Sequence, residues 1–445
     1  MHLRSKSFLS LSLLLFAACA TTTLPMRIEQ AAAVPELRNA IWGIAVQDDN
    51  GRALYERNAR TLLMPASNRK LFAAATAINC HGLDHRFATE LWLDGNNIVI
   101  RGTGDPSLGG RWAFDRDAVF AAFVDALRGR GIREVGDIIA DVSLFDRVLI
   151  PGSWKSGNLG SDYAAPVDAL AYNENVVGVV VEHCEQPVVT TDPPFVPAIA
   201  HVACGKDDLT IHSDPDNVLV IDGTMTARAS ELPSIADPAL YAAQAFGDTL
   251  RHAGIEVRGT TRVNIANQTW HDHLATIESP PLFLLLTTML KNSQNLYAEM
   301  LFKSTAGTYA GAEDLEREFL TREVGIDGAE FRFVDGSGLA PDDLVTPAAI
   351  VSLLRWMNAS PRRGIFWSIL ATPGEEGTLR RRLVPLASRL RGKTGTIAGV
   401  NALSGILAGT HGGYRYFSIV INHHIADSPI ATRAIDAIVN TIANF

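Results

Sequence analysis

The pattern of helix-like and strand-like runs changes twice along the chain, and the two changes separate a long middle block from two similar ends. Near the start, residues 42–57 alternate around a polar turn and predict a β-hairpin, and the alanine-rich helix that follows stops at His81. Between about 84 and 277, short strand-like runs alternate with Gly, Pro and Asp clusters, and helices such as 117–128 and 238–253 are few. After the middle block, helix-like runs become frequent again.

The two ends are predicted to form one discontinuous domain of residues 26–83 and 278–445. Residues 84–277 are predicted to be an inserted α+β region. The C-terminal third carries a final amphipathic helix, with its apolar residues on one face, after three strand-like runs. These runs cover residues 390–398, 401–408 and 414–423.

The composition is that of a globular chain with a sizeable core. Of its 445 residues, 47% are hydrophobic and 20% are charged, which excludes a disordered protein. Lys and Arg number 39 against 48 Asp and Glu, so the formal net charge is −9. Because no long basic run is present, nucleic acid is not predicted as a partner.

The N-terminus has the pattern of a secretory signal peptide. Basic residues precede a short apolar run at 8–16, and Ala17, Ala18 and Cys19 follow it. Two interpretations stay open for residues 1–19. One is a lipoprotein signal that leaves a lipidated Cys19 at the membrane, and the other is a plain signal peptide that is cut nearby. Both predict export, with a periplasmic location for the mature protein.

Four cysteines are too few for a fold that depends on disulfides. Cys184 and Cys204 each follow a strand-like run, and an oxidising compartment would allow a bridge between them. Cys80 closes the alanine-rich helix and is predicted to be a small buried hydrophobic residue.

The first chemical motif is Ser67-Asn68-Arg69-Lys70 at the start of the alanine-rich helix. Residues three apart on a helix lie on one face, so Lys70 is expected beside Ser67. The helix dipole favours a developing alkoxide at Ser67, and a desolvated lysine can act as its base. The alternative for an isolated motif of this kind is a serine that merely caps the helix.

The second motif, Ser293-Gln294-Asn295, interrupts two apolar helical runs. Such a break lets Ser293 and Asn295 both point into a cleft, where a hydroxyl can relay protons and an amide can orient a carbonyl. Alone, the pattern is also typical of a helix-capping turn.

The third motif, Lys393-Thr394-Gly395-Thr396, lies in a strand-like run. A strand edge offers backbone donors, and the lysine and threonine side chains attract a carboxylate. Gly395 would let a ligand approach the backbone closely.

Taken together and in this order, the three motifs match the signature of the serine penicillin-recognising enzymes. The chain resembles their class C, the low-molecular-mass penicillin-binding proteins that act as D-alanyl-D-alanine carboxypeptidases and endopeptidases. The long separation between Lys70 and Ser293 also resembles that family, which inserts extra domains there. The resemblance rests on residues 65–71, 292–299, 335–339 and 392–396, with insert landmarks at 102–108 and 172–177.

The resemblance implies an α+β fold. Its penicillin-binding, transpeptidase-like domain would be an α/β/α sandwich in which helices flank an antiparallel sheet, interrupted by a large, mainly β inserted region of one or two domains. The implied activity is serine-type hydrolysis of peptidoglycan stem peptides that end in D-Ala-D-Ala. β-Lactam antibiotics would acylate the same serine. No metal or cofactor is predicted.

The resemblance also implies a role for each motif residue. Ser67 would be the nucleophile and Lys70 its base, and Ser293 and Lys393 would pass a proton to the leaving amine. Asn295 would hold the substrate amide. The backbone N–H groups of Ser67 and Thr396 would form the oxyanion hole, and Thr394, Gly395 and Thr396 would bind the substrate, the two threonines through its terminal carboxylate.

Three alternatives compete with this interpretation. A zinc peptidase could use the histidine pairs His81 with His85 or His271 with His273, but each pair lacks a third ligand and a catalytic carboxylate. A serine β-lactamase shares the motifs and would differ in turning penicillin over. A catalytically inactive lipoprotein that binds peptidoglycan would keep the fold without the chemistry.

Overall fold

The computed structural model describes residues 23–113, 115–410 and 412–445. The predicted signal peptide and Cys19 lie outside the described residues. In the described ranges, no helix is both long and apolar enough to cross a membrane.

The helices are concentrated at the two ends of the chain. They are α1 (Leu24–Ala32), α2 (Lys70–His81), α3 (Arg116–Val119), α4 (Ala121–Gly129), α5 (Pro238–His252), α6 (Leu282–Lys291), α7 (Asn295–Lys303), α8 (Tyr309–Phe319), α9 (Pro347–Ala359), α10 (Arg363–Ile369) and α11 (Ser428–Ala443).

Most strands belong to the middle block. The strands are β1 (Ile41–Asp48), β2 (Ala53–Arg57), β3 (Ala88–Asp94), β4 (Asn97–Gly102), β5 (Glu134–Val135), β6 (Ile138–Asp141), β7 (Gly178–Glu182), β8 (Val188–Asp192), β9 (Ala198–Cys204), β10 (Asp208–Ser213), β11 (Leu219–Met225), β12 (Arg228–Glu231), β13 (Glu256–Val257), β14 (Thr261–Asn264), β15 (Asp272–Glu278), β16 (Phe331–Arg332), β17 (Leu344–Val345), β18 (Leu390–Ile397), β19 (Val400–Ala408) and β20 (Tyr414–Asn422).

The two ends of the chain share one antiparallel sheet, in the order β18-β19-β20-β1-β2. Successive residues of a strand point to opposite faces, so its central strands can be apolar on both. Ala402 and Val420 belong to a core with helices α2, α6, α7 and α9, whereas Leu403 and Ile419 belong to a core with α1 and α11. Helices therefore cover both faces of the sheet, as an α/β/α sandwich requires.

The middle block has its own core and several smaller sheets. A mixed sheet runs β14-β6-β4-β3-β15, and two three-stranded sheets run β10-β11-β9 and β12-β7-β8. Helices α4 and α5 bury Phe123 and Phe246 against this block. A disulfide joins Cys184 to Cys204. Strands β3 and β15, next to the two predicted junctions, pair with each other; the domain boundaries themselves stay a prediction.

Two local predictions were wrong. The helix expected over 117–128 is divided into α3 and α4 at Phe120, whose φ of −104° and ψ of 15° are not helical. Its side chain is fully buried, with its ring 5.8 Å from that of Tyr172, so packing decides the backbone there. Cys80 is exposed rather than buried, because the last turn of α2 extends beyond the core.

Candidate active site

Ser67 lies in a short 3₁₀ turn, Ala66–Arg69, which leads directly into α2. Ala66 has a φ of 46°, in the left-handed region that non-glycine residues rarely adopt, so this turn is held by its surroundings. The Nζ atom of Lys70 lies 3.0 Å from the Oγ atom of Ser67. The spacing of the first motif therefore brings its two reactive groups together as predicted.

Lys70 is fully buried and has two further hydrogen-bond partners. Its Nζ donates to Oδ1 of Asn295 at 2.6 Å and to the carbonyl oxygen of Ser337 at 2.8 Å. Burial lowers the pKa of Lys70 to about 7, although the nearby carboxyl groups of Asp335 and Glu299 act in the opposite direction. Near neutral pH, a substantial fraction of this lysine is the free amine.

The second motif occupies the break between α6 and α7, as the sequence predicts. Ser293 has a φ of 63°, and Asn295 is the first residue of α7. The amide of Asn295 is engaged on both sides. Its oxygen accepts from Lys70, and its Nδ2 donates to the carbonyl oxygen of Tyr163 in the middle block at 2.7 Å.

The third motif lies on β18, the edge strand of the main sheet. Lys393 is fully buried, and its Nζ donates to Oγ of Ser293 at 2.8 Å and to the carbonyl oxygen of Thr394 at 2.8 Å. Burial, followed by the charge of Lys70, lowers the pKa of Lys393 well below its usual value. The second and third motifs therefore meet through a direct hydrogen bond between their side chains.

Gly395 allows β18 to pack against the turn that carries Ser67. A Cβ atom at this position would lie 2.8 Å from the carbonyl oxygen of Pro65 and 3.1 Å from the backbone nitrogen of Ser67. Any side chain would push the strand away from the serine. Of the two threonines, Thr394 is nearly buried and Thr396 is exposed.

A cavity of about 440 Å³ opens over these groups, within the size range of small-ligand sites. All three motifs contribute to its wall, through Ser67, Ser293, Asn295 and Thr396. The opposite wall comes from the middle block through Lys155, Asn158 and Tyr163, which sequence reasoning missed. They lie in and beside two short 3₁₀ turns, and no motif or periodicity marks them.

Comparison with known proteins agrees with this geometry. The D-Ala-D-Ala carboxypeptidase 3 (S13) family matches residues 24–444. The chain belongs to this family. A D-alanyl-D-alanine carboxypeptidase from Actinomadura sp. (strain R39) is 33% identical over 453 residues, which cover 92% of this chain and 82% of that protein. The predicted family and serine carboxypeptidase class are thus confirmed.

Solved structures show the same fold. Penicillin-binding protein 4 (dacB) from Haemophilus influenzae superimposes with a TM-score of 0.84 at 21% identity, over 94% of this chain and 99% of that one, and it has also been solved with a β-lactam. A predatory peptidoglycan endopeptidase from Bdellovibrio bacteriovorus gives a TM-score of 0.54 at 16% identity, over 90% and 92%. The predicted fold class is confirmed.

In this S13 peptidase, a loop of buried polar groups supports Lys70 from below. The carboxylate of Asp335 accepts from the backbone nitrogens of Gly338 and Ala340 and from Nε1 of Trp154, at 2.7–2.9 Å. Burial would raise the pKa of Asp335, but these and other hydrogen bonds outweigh it and lower the pKa. The loop shape they impose directs the Ser337 carbonyl at Lys70.

Glu299 holds the same loop from the α7 side. Its carboxylate accepts from the backbone nitrogens of Gly336 and Ser337 at 2.9 and 2.8 Å. Burial, and then the charge of Asp335, raise the pKa of Glu299 to about 7. This carboxyl group therefore titrates in the same pH range as Lys70.

Arg69, inside the first motif, anchors the serine turn to the helical layer. Its guanidinium pairs with the carboxylate of Glu316 at 2.8 Å, and both side chains are buried. Its Nε donates to the carbonyl oxygen of Asp335 at 2.8 Å, and the guanidinium lies 4.1 Å from the centre of the Phe333 ring. The turn and the Asp335 loop are therefore joined by one side chain.

Glu174 in the middle block contacts the central residue of the second motif. One carboxylate oxygen accepts from Nε2 of Gln294 at 2.7 Å, and the other accepts from the hydroxyl of Tyr297 at 3.2 Å. Arg111 also forms an ion pair with this carboxylate. Asn173, Glu174 and Asn175 all have φ values between 50° and 58°, so this segment adopts a strained shape that presents Glu174 to the motif.

The histidines of the zinc alternative take part in ordinary contacts. His81 and His85 stack with ring centres 4.8 Å apart, and His81 hydrogen-bonds Ser304. His273 packs on Trp92 and hydrogen-bonds Thr276. Across the part of the chain that the structure describes, no group of three or more His, Cys, Asp or Glu residues could hold a metal ion.

Proposed function

We propose that Ser67 is the nucleophile of a D-alanyl-D-alanine carboxypeptidase that cleaves peptidoglycan stem peptides through an acyl-enzyme. The observation that carries this proposal is the buried Lys70 amine, 3.0 Å from the Ser67 hydroxyl, with its pKa lowered to about 7. A neutral lysine has two N–H donors and one lone pair. Asn295 and the Ser337 carbonyl accept the two donors, and the lone pair is left for the serine proton.

In the acylation step, the Ser67 oxygen attacks the carbonyl carbon of the penultimate D-Ala and its proton passes to Lys70. The backbone N–H groups of Ser67 and Thr396 stabilise the resulting oxyanion. The close approach of β18 to the serine turn at Gly395 supports this pairing of donors.

The tetrahedral intermediate then collapses. Its C–N bond breaks, and the proton that Lys70 took from Ser67 is passed to the leaving amine through the hydroxyl of Ser293, so that Lys70 is again a free amine. Lys393 holds this hydroxyl by a hydrogen bond of 2.8 Å. D-Alanine leaves, and water hydrolyses the ester on Ser67. Asn295 holds the substrate amide, because one of its two amide protons is free beside the bond to Tyr163.

The third motif binds the terminal carboxylate. Thr396 lines the cavity and offers its hydroxyl, whereas Thr394 is nearly buried and acts from beneath. A carboxylate that binds here also favours the protonated form of Lys393, because opposite charges stabilise each other. The same carboxylate position would receive β-lactams, which acylate Ser67.

An endopeptidase activity is the second candidate, because it cuts a bond after D-Ala by the same steps. The fold shared with the Bdellovibrio endopeptidase is compatible with it. Monomeric and cross-linked muropeptides incubated side by side and analysed by mass spectrometry separate the two. Loss of one alanine residue from the stem peptide would be carboxypeptidase action, and conversion of dimers to monomers would be endopeptidase action.

The penicillin-labelling time course tests the proposal against its rivals. A carboxypeptidase should take up one penicillin at Ser67 and keep it for a long time. Rapid release of the label would favour a β-lactamase, and no label would favour the inactive lipoprotein.

Export to the periplasm is part of the same proposal. The signal-like N-terminus and the disulfide between Cys184 and Cys204 support it, since such bonds persist in oxidising compartments. Mass spectrometry of the mature N-terminus decides between a lipidated Cys19 and a plain cut.

A further inference from the structure

A second cavity, of about 650 Å³, lies away from the active site. The β1–β2 turn, α9, α10 and the start of β20 form its walls, and none of the residues that line the active-site cavity lines this one. Its side chains include two arginines, Arg355 and Arg363, and three aromatic residues, Trp356, Tyr414 and Tyr416. Its volume is within the usual range for sites that bind small ligands.

The two arginines lack a carboxylate partner. Nε of Arg355 is buried and has no hydrogen-bond partner, and neither guanidinium forms an ion pair with any described residue. Arg363 lies 5.9 Å from the centre of the Tyr414 ring. The buried Nε of Arg355 without an acceptor costs free energy, which an anionic ligand would recover.

The carboxylate in the wall is already occupied. Oδ2 of Asp49 accepts from the backbone nitrogen of Tyr414 at 2.7 Å, and Oδ1 accepts from the hydroxyl of Tyr416 at 3.0 Å. Asn358 donates to the same hydroxyl at 2.7 Å and accepts from Nε1 of Trp367 at 2.8 Å. These bonds fix Asp49, Asn358 and Tyr416, so the two arginines are the charged side chains of the wall left to meet a ligand.

The aromatic residues of the cavity indicate that part of the ligand is apolar. The Trp356 ring packs edge-on against Phe319 at 5.4 Å, and the Tyr414 ring lies 5.6 Å from that of Trp367. Such supported rings offer apolar faces in fixed positions. A matching ligand would carry a carboxylate for the guanidinium groups and an apolar body for the rings.

We propose that this cavity is a second binding site, which takes a carboxylate-bearing peptide of peptidoglycan. The choice of peptide rests on the proposed function, because an enzyme that cuts one stem peptide of a polymer has many others within reach. Guanidinium groups match a carboxylate with two parallel hydrogen bonds, and the aromatic faces take the aliphatic part of the peptide. Occupation of this site would hold the enzyme on the polymer between cleavages.

Calorimetric titration of the full chain carrying Ser67→Ala with a disaccharide tripeptide tests the site. This muropeptide lacks D-Ala-D-Ala, so it is not a substrate, and saturable binding is expected. Arg363→Gln on its own should weaken binding about tenfold, as expected for one charge-assisted hydrogen bond, and Arg355→Gln should do the same. Arg433→Gln, an exposed arginine on α11, is the matched control and should bind like the parent protein.

The same muropeptide with its carboxylates converted to amides should fail to bind. Equal binding of the amide, unchanged binding in both arginine variants, or no binding at all would overturn the proposal. Arg363 is exposed, so its replacement should leave the fold intact. Penicillin labelling of each arginine variant with Ser67 retained shows that the active site is formed, and a general absence of labelling would instead overturn the proposed function.

Discussion

The two walls of the active-site cavity differ in how deeply their polar groups are buried. Directly behind the wall built from the motifs, hydrogen-bonded to its two serines, Lys70 and Lys393 are both 0% exposed. On the wall contributed by the middle block, Tyr163 is 44% exposed and Lys155 is also exposed. Desolvation lowers the pKa of the two buried lysines and so favours their neutral amines. We therefore assign chemistry to the first wall and substrate choice to the second.

The largest effect should come from Ser67→Ala. We expect complete loss of peptidase activity and of covalent penicillin binding, because the variant lacks the hydroxyl that Lys70 deprotonates at 3.0 Å in the cavity. Stability should change by only about 1 kcal/mol, the worth of one hydrogen bond. Mass spectrometry of the penicillin adduct checks the loss, with Ser368→Ala as an exposed control. A label that persists in the Ser67 variant would contradict the assignment of the nucleophile.

Lys393→Met should be the next most damaging change. Methionine keeps most of the buried volume and removes the amine, so the acylation rate should fall by about 10²–10⁴-fold, the usual range for lost acid–base catalysis. Stopped-flow measurement of penicillin acylation gives the rate. Ser293→Ala should add little to this loss, since the two side chains act through one hydrogen bond. Fully multiplicative losses in the double variant would mean that they act independently.

The pH dependence of acylation should report Lys70. Its free amine is the active form, so the rate should rise with pH and reach half its maximum near pH 7, where burial places the pKa. Between pH 5 and pH 7 the neutral fraction rises by about fiftyfold. Glu299, with a pKa also raised to about 7, is a second buried group beside the site in this range. The rise of the acylation rate with pH should persist in Glu299→Gln. Its disappearance in that variant would mean that Glu299, and not Lys70, is the titrating group.

Glu174→Gln probes whether the middle block supports the motif wall as well as facing it. Loss of the carboxylate charge weakens the bonds from Gln294, Tyr297 and Arg111, so the loop that carries Ser293 should become less ordered. Acylation should slow about tenfold, in line with one charged hydrogen bond, while the affinity for unreacted substrate changes little. Glu185→Gln, an exposed glutamate of the same block, should be neutral. An equal loss in both variants would remove the special role of Glu174.

The difference between the two walls also explains which parts of the site could be predicted from the sequence. The three motifs, at residues 67–70, 293–295 and 393–396, are local patterns. The first needs only a helix start to place its residues, the second a helix break and the third a strand. The sandwich was implied by the family resemblance, and the structure agrees with it, since the neighbouring residues Ala402 and Leu403 of β19 face different cores. The period of a helix or strand predicts the direction of a side chain only where the backbone is regular.

The wall of the middle block could not be predicted in this way. Lys155, Asn158 and Tyr163 lie in or beside two short 3₁₀ turns of an otherwise irregular segment, where no period relates position to direction. Glu174 reaches the second motif only because three successive residues adopt positive φ. These contacts join residues more than a hundred positions apart, so they depend on how the inserted block is seated against the main domain.

Lys155→Ala should give the smallest effect and is the sharpest test of the second wall. An exposed ammonium at the cavity should attract an acidic group of the peptide, at a strength typical of surface charge pairs. We expect the KM for a carboxylate-bearing stem peptide to rise about threefold, with kcat unchanged, because Lys155 touches no group that moves a proton. The effect should shrink at high salt, which screens exposed charges, and Lys155→Arg should restore the parent KM. Lys206→Ala, an exposed lysine elsewhere in the block, is the control. A fall in kcat with unchanged KM would place Lys155 among the groups that take part in the chemistry, and the division between the two walls would then be wrong.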